Sequence, residues 1–198
     1  MPSTTTHALK EWSVAVDALE QGKTIMLLRK GGISERGGRF QVAHERVLLY
    51  PTYEHQQPFL LKPEYTKQVT SVTSGWHPET IPIGSFAQIT NIFLVADQTT
   101  VNALLPFHIW NEQFISDRLK WKPRQPLYIL LLRAYKLAQV QTIPYDCAYG
   151  GCKSWIDLAQ SIAIIDDAAA VLNDATYNQM ISQIHEIIAN NNSLATRA

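Results

Sequence analysis

Apolar residues recur along this chain in several rhythms, and each predicts an element. Between residues 7 and 21, Leu9, Trp12, Val16 and Leu19 stand at helical spacing. They predict a helix, with Thr4, Thr5 and Thr6 as N-cap candidates and Gly22 as the left-handed residue that ends it. Lys23 to Lys30 follows with Ile25, Met26, Leu27 and Leu28 consecutive. That run is too short and too apolar for a surface helix and predicts a strand, with Gly31, Gly32, Gly37 and Gly38 turning the chain after it. Phe40 to Tyr50 predicts a returning strand that Pro51 stops, and Pro63 to Val72 a short helix opened by proline.

The run "SFAQITNIFLVAD", residues 85 to 97, is rich in β-branched and aromatic residues and predicts a strand. Val101 to Leu105 and Asn111 to Lys120 predict helices, closed by Pro123 and Pro126. "LYILLLRAYKL", residues 127 to 137, is apolar on both faces at its centre and predicts an interior strand. From Asp166 the pattern turns helical, the last helix setting Tyr177, Met180, Ile181, Ile184, Ile187 and Ile188 on one face. Thr176 with Gln179 predicts its capping box. The mixed order argues against a doubly wound sheet. It predicts one α+β domain over residues 1–198, a sheet-containing core at 1–165 and a helical tail at 166–198.

Composition changes this picture little: 46% hydrophobic and 17% charged residues are ordinary for a globular chain of 198 residues. No apolar run reaches the roughly 18 residues a membrane span needs, and the N-terminus lacks the basic start of a signal peptide. The sequence therefore predicts a cytoplasmic protein. Charge changes it more. The 17 basic and 17 acidic residues cancel, yet Arg118, Lys120, Lys122, Arg124, Arg133 and Lys136 stand in a stretch without acids, while six acids meet two cations from Asp146 onward.

Four groups of residues could carry chemistry. Gly22-Lys23-Thr24 ends like a phosphate-binding loop, but the glycine required five positions earlier is Asp17, and helix precedes strand here. Lys23, Arg29 and Lys30 thus become candidate anion anchors, with strand alternation allowing one of Arg29 and Lys30 to enter a given groove. "YPTYEHQ", residues 50 to 56, offers Glu54 and His55 as an acid/base pair, Tyr53 for stacking and Gln56 for a base edge. Glu54 and His55 serve one proton only where the chain turns. Around Trp121, the cations Arg118, Lys120, Lys122 and Arg124, with Arg133 further on, combine charge and aromatic faces as single-stranded nucleic acid requires. Cys147 and Cys152 read as small buried thiols in a turn. No metal-ligand spacing occurs, no cofactor is implied, and none of the nine lysines has an acid two residues before it, as nuclease cores require.

Two resemblances follow from these residues. "ALKEWSVAVDALEQGKTIMLLRKGGISE", "LLYPTYEHQ" and "PLYILLLRAYKL" resemble an uncharacterised bacterial family, mostly cyanobacterial and sometimes found with Mrr-type restriction nuclease domains. That resemblance implies a link to restriction or DNA defence. The order helix, Gly-Lys-Thr, strand, Arg is similar to ASCH and other PUA-like domains, small β-barrels that bind RNA or modified DNA. It implies a barrel-like mixed sheet and places Lys23 and Arg29 against nucleic acid. The leading expectation is a nucleic-acid-binding or recognition module. Its alternatives are an enzyme on a small or nucleotide-like substrate, with Glu54 and His55 as acid/base and Arg29 as anion clamp, and a structural partner of a nuclease docking through the last helix.

Overall fold

The computed structural model describes residues 3–30, 42–165 and 168–195. Six strands form one mixed sheet in the order β2-β5-β4-β3-β1-β6. The strands are β1 (Ser3–Trp12), β2 (Met26–Arg29), β3 (Arg46–Thr52), β4 (Thr80–Val95), β5 (Leu127–Pro144) and β6 (Trp155–Ile164). The helices are α1 (Ser13–Glu20), α2 (Pro63–Thr66), α3 (Gln98–Ala103), α4 (Glu112–Lys120) and α5 (Asp174–Ala195). β1 and β3 run parallel, and the other pairings are antiparallel.

The helix expected over residues 7–21 begins only at Ser13. Residues 3–12 instead form β1, which pairs with β3 on one side and β6 on the other. Backbone pairing on both edges outweighs the helical spacing of four apolar residues, since propensity is a weak prior against tertiary context. Gly22 does end α1 as expected, at φ 67°. Its N–H donates to Leu19 and that of Lys23 to Ala18, the paired bonds of a Schellman turn. The N-terminus of α1 is capped from afar: Gln56 Oε1 accepts from Val14 N–H at 3.2 Å and Ser13 Oγ at 3.1 Å.

Pro51 does not stop β3. It pairs opposite Glu11, because an amide nitrogen without hydrogen can stand where the ladder asks nothing of it. α2 ends at Thr66, and β4 and β5 both extend beyond the expected runs as one long hairpin. The expected strand over residues 40–50 begins at Arg46, with residues 31–41 and the turns predicted there outside the described residues. β6 was not expected at all. The tail forms the single helix α5, capped by Asn173 Oδ1 on Thr176 N–H at 2.8 Å in place of the Thr176–Gln179 box.

Two apolar clusters hold the fold. The larger gathers α1, β2, the centre of β5, α4 and α5, with Leu9, Leu27, Trp110, Leu131 and Ile184 among its most buried members. α5 lays its expected apolar face here, with Tyr177, Ile184 and Ile188 buried and Met180, Ile181 and Ile187 partly buried. The smaller cluster joins Ile156, Leu158, Ile162 and Ile164 of β6 to Ile81, Ile83 and Ile143 of the hairpin. For β6 to meet strands that distant in the sheet order, the sheet must curl. Among the described residues the ring does not close: the backbone of residues 168–171 joins β5 through one isolated bridge, Tyr135–Ala170, made by the bonds Lys136 N–H to Ala169 and Val171 N–H to Ala134. The expected barrel is an open, curled sheet.

Candidate functional site

Curling brings the ends of β1, β2 and β3 together, and a cavity of about 610 Å³ opens there. β1 contributes Lys10, Glu11 and Trp12, β2 and its exit contribute Leu28, Arg29 and Lys30, and β3 with its following turn contributes Tyr50, Tyr53, Glu54 and His55. Gly75 to Pro78 form one wall, Tyr145 and residues 149–154 another, and Arg118 and Trp121 at the end of α4 a third. That size suits one or two nucleotide units or a small organic ligand.

Arg29 leaves β2 with its guanidinium divided between two acceptors. Nη1 donates to Glu11 Oε2 at 3.0 Å and Nη2 to the Lys10 carbonyl at 2.9 Å. Glu11, 6% exposed, also accepts from the Trp12 N–H at 2.8 Å. The cation and the amide donor beside it offset part of the cost of burying this carboxyl group. Lys30 is buried as well, because β2 ends at Arg29 and the alternation that should separate the two residues ends with it. Both line the cleft, against the expectation that only one would. The Lys30 ammonium donates to the carbonyls of Arg118 at 2.7 Å and Leu119 at 3.2 Å, where a helix C-terminus attracts a cation.

Lys10 donates from Nζ to the carbonyls of Tyr149 and Gly151, fastening the loop before β6 onto β1. Burial lowers its pKa from the ordinary lysine value, and Lys153 adds to the effect. Burial likewise lowers the pKa values of Lys30 and Arg118, with Arg118 opposing Lys30 and Arg29 opposing Arg118. The row Lys30, Arg118, Arg29, Lys10 and Lys153 is thus a chain of mutually repelling cations along one cavity.

Glu54 and His55 do lie where the chain turns: His55 takes a left-handed φ of 64°, and its Nε2 stands 3.2 Å from Glu54 Oε1. Glu54 also accepts from Gly75 N–H at 2.6 Å and Ser74 Oγ at 3.2 Å. The Gly75 bond first, then the charge of His55, holds its pKa below the usual carboxylate range. Aromatic rings complete the walls. Tyr53 meets Trp76 edge-on at 6.2 Å, His77 stacks on Tyr145 at 3.4 Å, and Tyr149 meets both Tyr50 and Tyr145 edge-on.

Other predicted residues lie elsewhere. Gln56 is committed to capping α1, so its carbonyl does not face a base edge. Lys23, Lys120 and Arg124 are exposed and outside the cavity, and Lys122 stands over the Trp121 ring at 4.7 Å. Arg133 belongs to another cluster: it pairs with the exposed Asp174 and lies 4.8 Å from the Tyr177 ring. Cys147 and Cys152 are exposed, not buried, and Cys152 lines the cleft.

The sequence reading missed Lys10, Glu11 and Trp12, which a helix would have scattered, and the wall formed by Trp76, His77, Tyr145 and Tyr149. "YDCAYGGCKSW", with two tyrosines and a lysine about a Gly-Gly pair, carries that signal in its rings and its lysine, not in its thiols.

This chain belongs to the family described as "Domain of unknown function (DUF1802)", whose model matches residues 8–183. None of the curated proteins matches it. Among solved structures it is similar to ASCH from Zymomonas mobilis, at 16% identity over 78% of this chain and 87% of that one, with a TM-score of 0.43. It is also similar to a serine-to-alanine variant of the same ASCH protein of Zymomonas mobilis, at 14% identity over 81% of this chain and 92% of that one, with a TM-score of 0.45.

Proposed function

We propose that the cleft is a nucleic-acid recognition site. The observation that carries this reading is the convergence, in one cavity, of Lys10, Arg29, Lys30, Arg118 and Lys153 with the rings of Trp12, Tyr53, Trp76 and Trp121. Five cations face two carboxylates there, Glu11 and Glu54, so the cavity favours an anion. Aromatic faces and edges beside phosphate-seeking cations are what a nucleotide offers contacts to: its base stacks and its phosphate pairs. Affinity for single-strand and duplex oligonucleotides, measured across a salt series, tests the reading. Binding should weaken with salt at a slope of about 0.7 per phosphate contacted on a single strand. No binding at low salt, or full binding by a variant with both Arg29→Ala and Arg118→Ala, would sink it.

A link to restriction or DNA defence extends this reading on the sequence resemblance alone, and would make the chain the recognition partner of a separate nuclease. Co-purification with an Mrr-type nuclease from a host encoding both is the corresponding measurement.

A second reading, an enzyme on a small or nucleotide-like substrate, is favoured by one contact. Glu54 stands 3.2 Å from His55 Nε2 in the cavity that Arg29 lines. In it Glu54 stays ionised and orients His55, the proton-transfer group, while Arg29 holds the anion. Turnover of nucleotide substrates that disappears in His55→Gln with binding retained would establish it; equal turnover in that variant would remove it.

A further inference from the structure

The cations of the cleft differ in how much of their hydrogen-bonding capacity the protein already uses. Lys10 holds two loop carbonyls, Lys30 holds the end of α4, and Arg29 holds Glu11 and a β1 carbonyl. Arg118 stands apart. It is half-buried, its guanidinium lies 4.9 Å from the centre of the Phe114 ring, and it has no hydrogen-bond acceptor among the described residues. The carboxylate whose charge reaches it, Glu11, is already bonded to Arg29 and to the Trp12 N–H. A guanidinium half out of water, beside two other cations and without an acceptor, is an unfilled anion site.

Resting on the nucleic-acid reading above, we propose that Arg118 forms a subsite for a terminal phosphate, the phosphomonoester of a strand end or of a free mononucleotide. A monoester has three unshared oxygens and a charge of about −1.5 to −2 at neutral pH, against two oxygens and one charge for a phosphodiester within a strand. The planar fork of Arg118 takes two oxygens, and the charges of Lys30 and Arg29 answer the second negative charge. Trp121, three residues along at the end of α4 and lining the same cavity, offers the adjoining base a face.

The test compares oligonucleotides of one sequence carrying a 5′-phosphate, a 3′-phosphate or hydroxyls at both ends, with a nucleoside monophosphate as competitor, on the full chain and on Arg118→Gln. The wild type should prefer one phosphorylated end roughly tenfold, the weight of a charge-assisted fork, and Arg118→Gln should lose the preference while keeping weaker, salt-dependent binding. Arg118→Lys, which keeps the charge without the fork, should fall between them, and circular dichroism should show all three folded. Effective competition by the nucleoside monophosphate would identify the free nucleotide as a source. Equal affinity for phosphate and hydroxyl ends, with salt-dependent binding intact, overturns the subsite and leaves the recognition site standing. Binding of the nucleoside monophosphate without any oligonucleotide binding keeps the subsite and removes strand recognition. Binding of neither removes both.

Discussion

Two of the places where this molecule buries polar atoms without a partner among the described residues differ in what surrounds them. Beneath α3 and α4, Thr100 Oγ1, both ring nitrogens of His108 and Trp110 Nε1 are unpaired. Those residues are 0%, 2% and 1% exposed, within the larger apolar cluster's neighbourhood. In the cleft, the Tyr50 hydroxyl is buried and unpaired, and the half-buried Arg118 guanidinium has no hydrogen-bond acceptor among the described residues, but both residues line a cavity that a ligand can enter. Each unpaired buried group costs about 1–3 kcal/mol. In the sealed place the protein meets that cost by neutrality, burial pushing the His108 pKa down to about 3, with Lys62 contributing. In the cleft the guanidinium keeps its charge, and a ligand is what would satisfy it. The same lack of a partner is sealed from solvent in one region and open to a ligand in the other.

Trp110→Ala presses hardest on the sealed side of this contrast. Trp110 is fully buried and stacks on Phe114 at 4.9 Å, so the substitution should cost about 3–5 kcal/mol in denaturant unfolding. A loss below about 1 kcal/mol would mean that the sealed cluster packs loosely.

Acid unfolding tests its neutrality. An unfolded histidine titrates near 6.5, whereas folded His108 binds its proton only near 3. Between those values the unfolded state holds more protons, so stability falls as pH falls through that window, by an amount on the order of a few kcal/mol. His108→Gln should flatten this part of the pH profile, and an unchanged profile would remove His108 as its source.

The paired and unpaired cations of the cleft can be set against each other. Glu11→Gln takes the carboxylate charge away from the half-buried Arg29 guanidinium, which keeps its bond to the Lys10 carbonyl, and should cost about 2–3 kcal/mol. Arg118→Gln removes a cation that repels its neighbours and bonds to no described acceptor, so thermal and denaturant unfolding should shift by no more than about 0.5 kcal/mol. Equal losses in the two variants would erase the distinction between structural and ligand-seeking charge. Arg133→Ala marks the small end of the series. Its partner Asp174 is exposed, so the change should cost under about 1 kcal/mol and leave oligonucleotide affinity unaltered.

How much of this was legible in the sequence depends on the element. The long hairpin, α4 and α5 announced themselves because a strand or helix buried against one core repeats its apolar residues at its own period. β1 did not: its ten residues place four buried ones in succession, Ala8 to Glu11, a pattern set by strands on both sides and not by an alternating surface. β6 was hidden by Ala159, Gln160 and Ser161, exposed residues where the strand bulges from β1. At the site, Arg29, Lys30, Tyr53, Glu54, His55, Arg118 and Trp121 were named from residue type alone and line one cavity. Arg133, Gln56 and Lys23 have the same chemistry and lie elsewhere, because residue type does not say which strand end curls toward which.

By itself the sequence determined where apolar periods begin and end, where Gly22 must turn, and which segments carry cations and rings together. Those are local properties, fixed by side-chain spacing and backbone freedom. Only the tertiary structure decided that residues 3–12 are a strand and that Lys10 and Glu11 lie buried beside Arg29. It also decided which cations are spent on carbonyls, leaving Arg118 without an acceptor among the described residues. Those outcomes depend on pairings between residues far apart in the chain, and the energy of a buried charge is set by what folds against it.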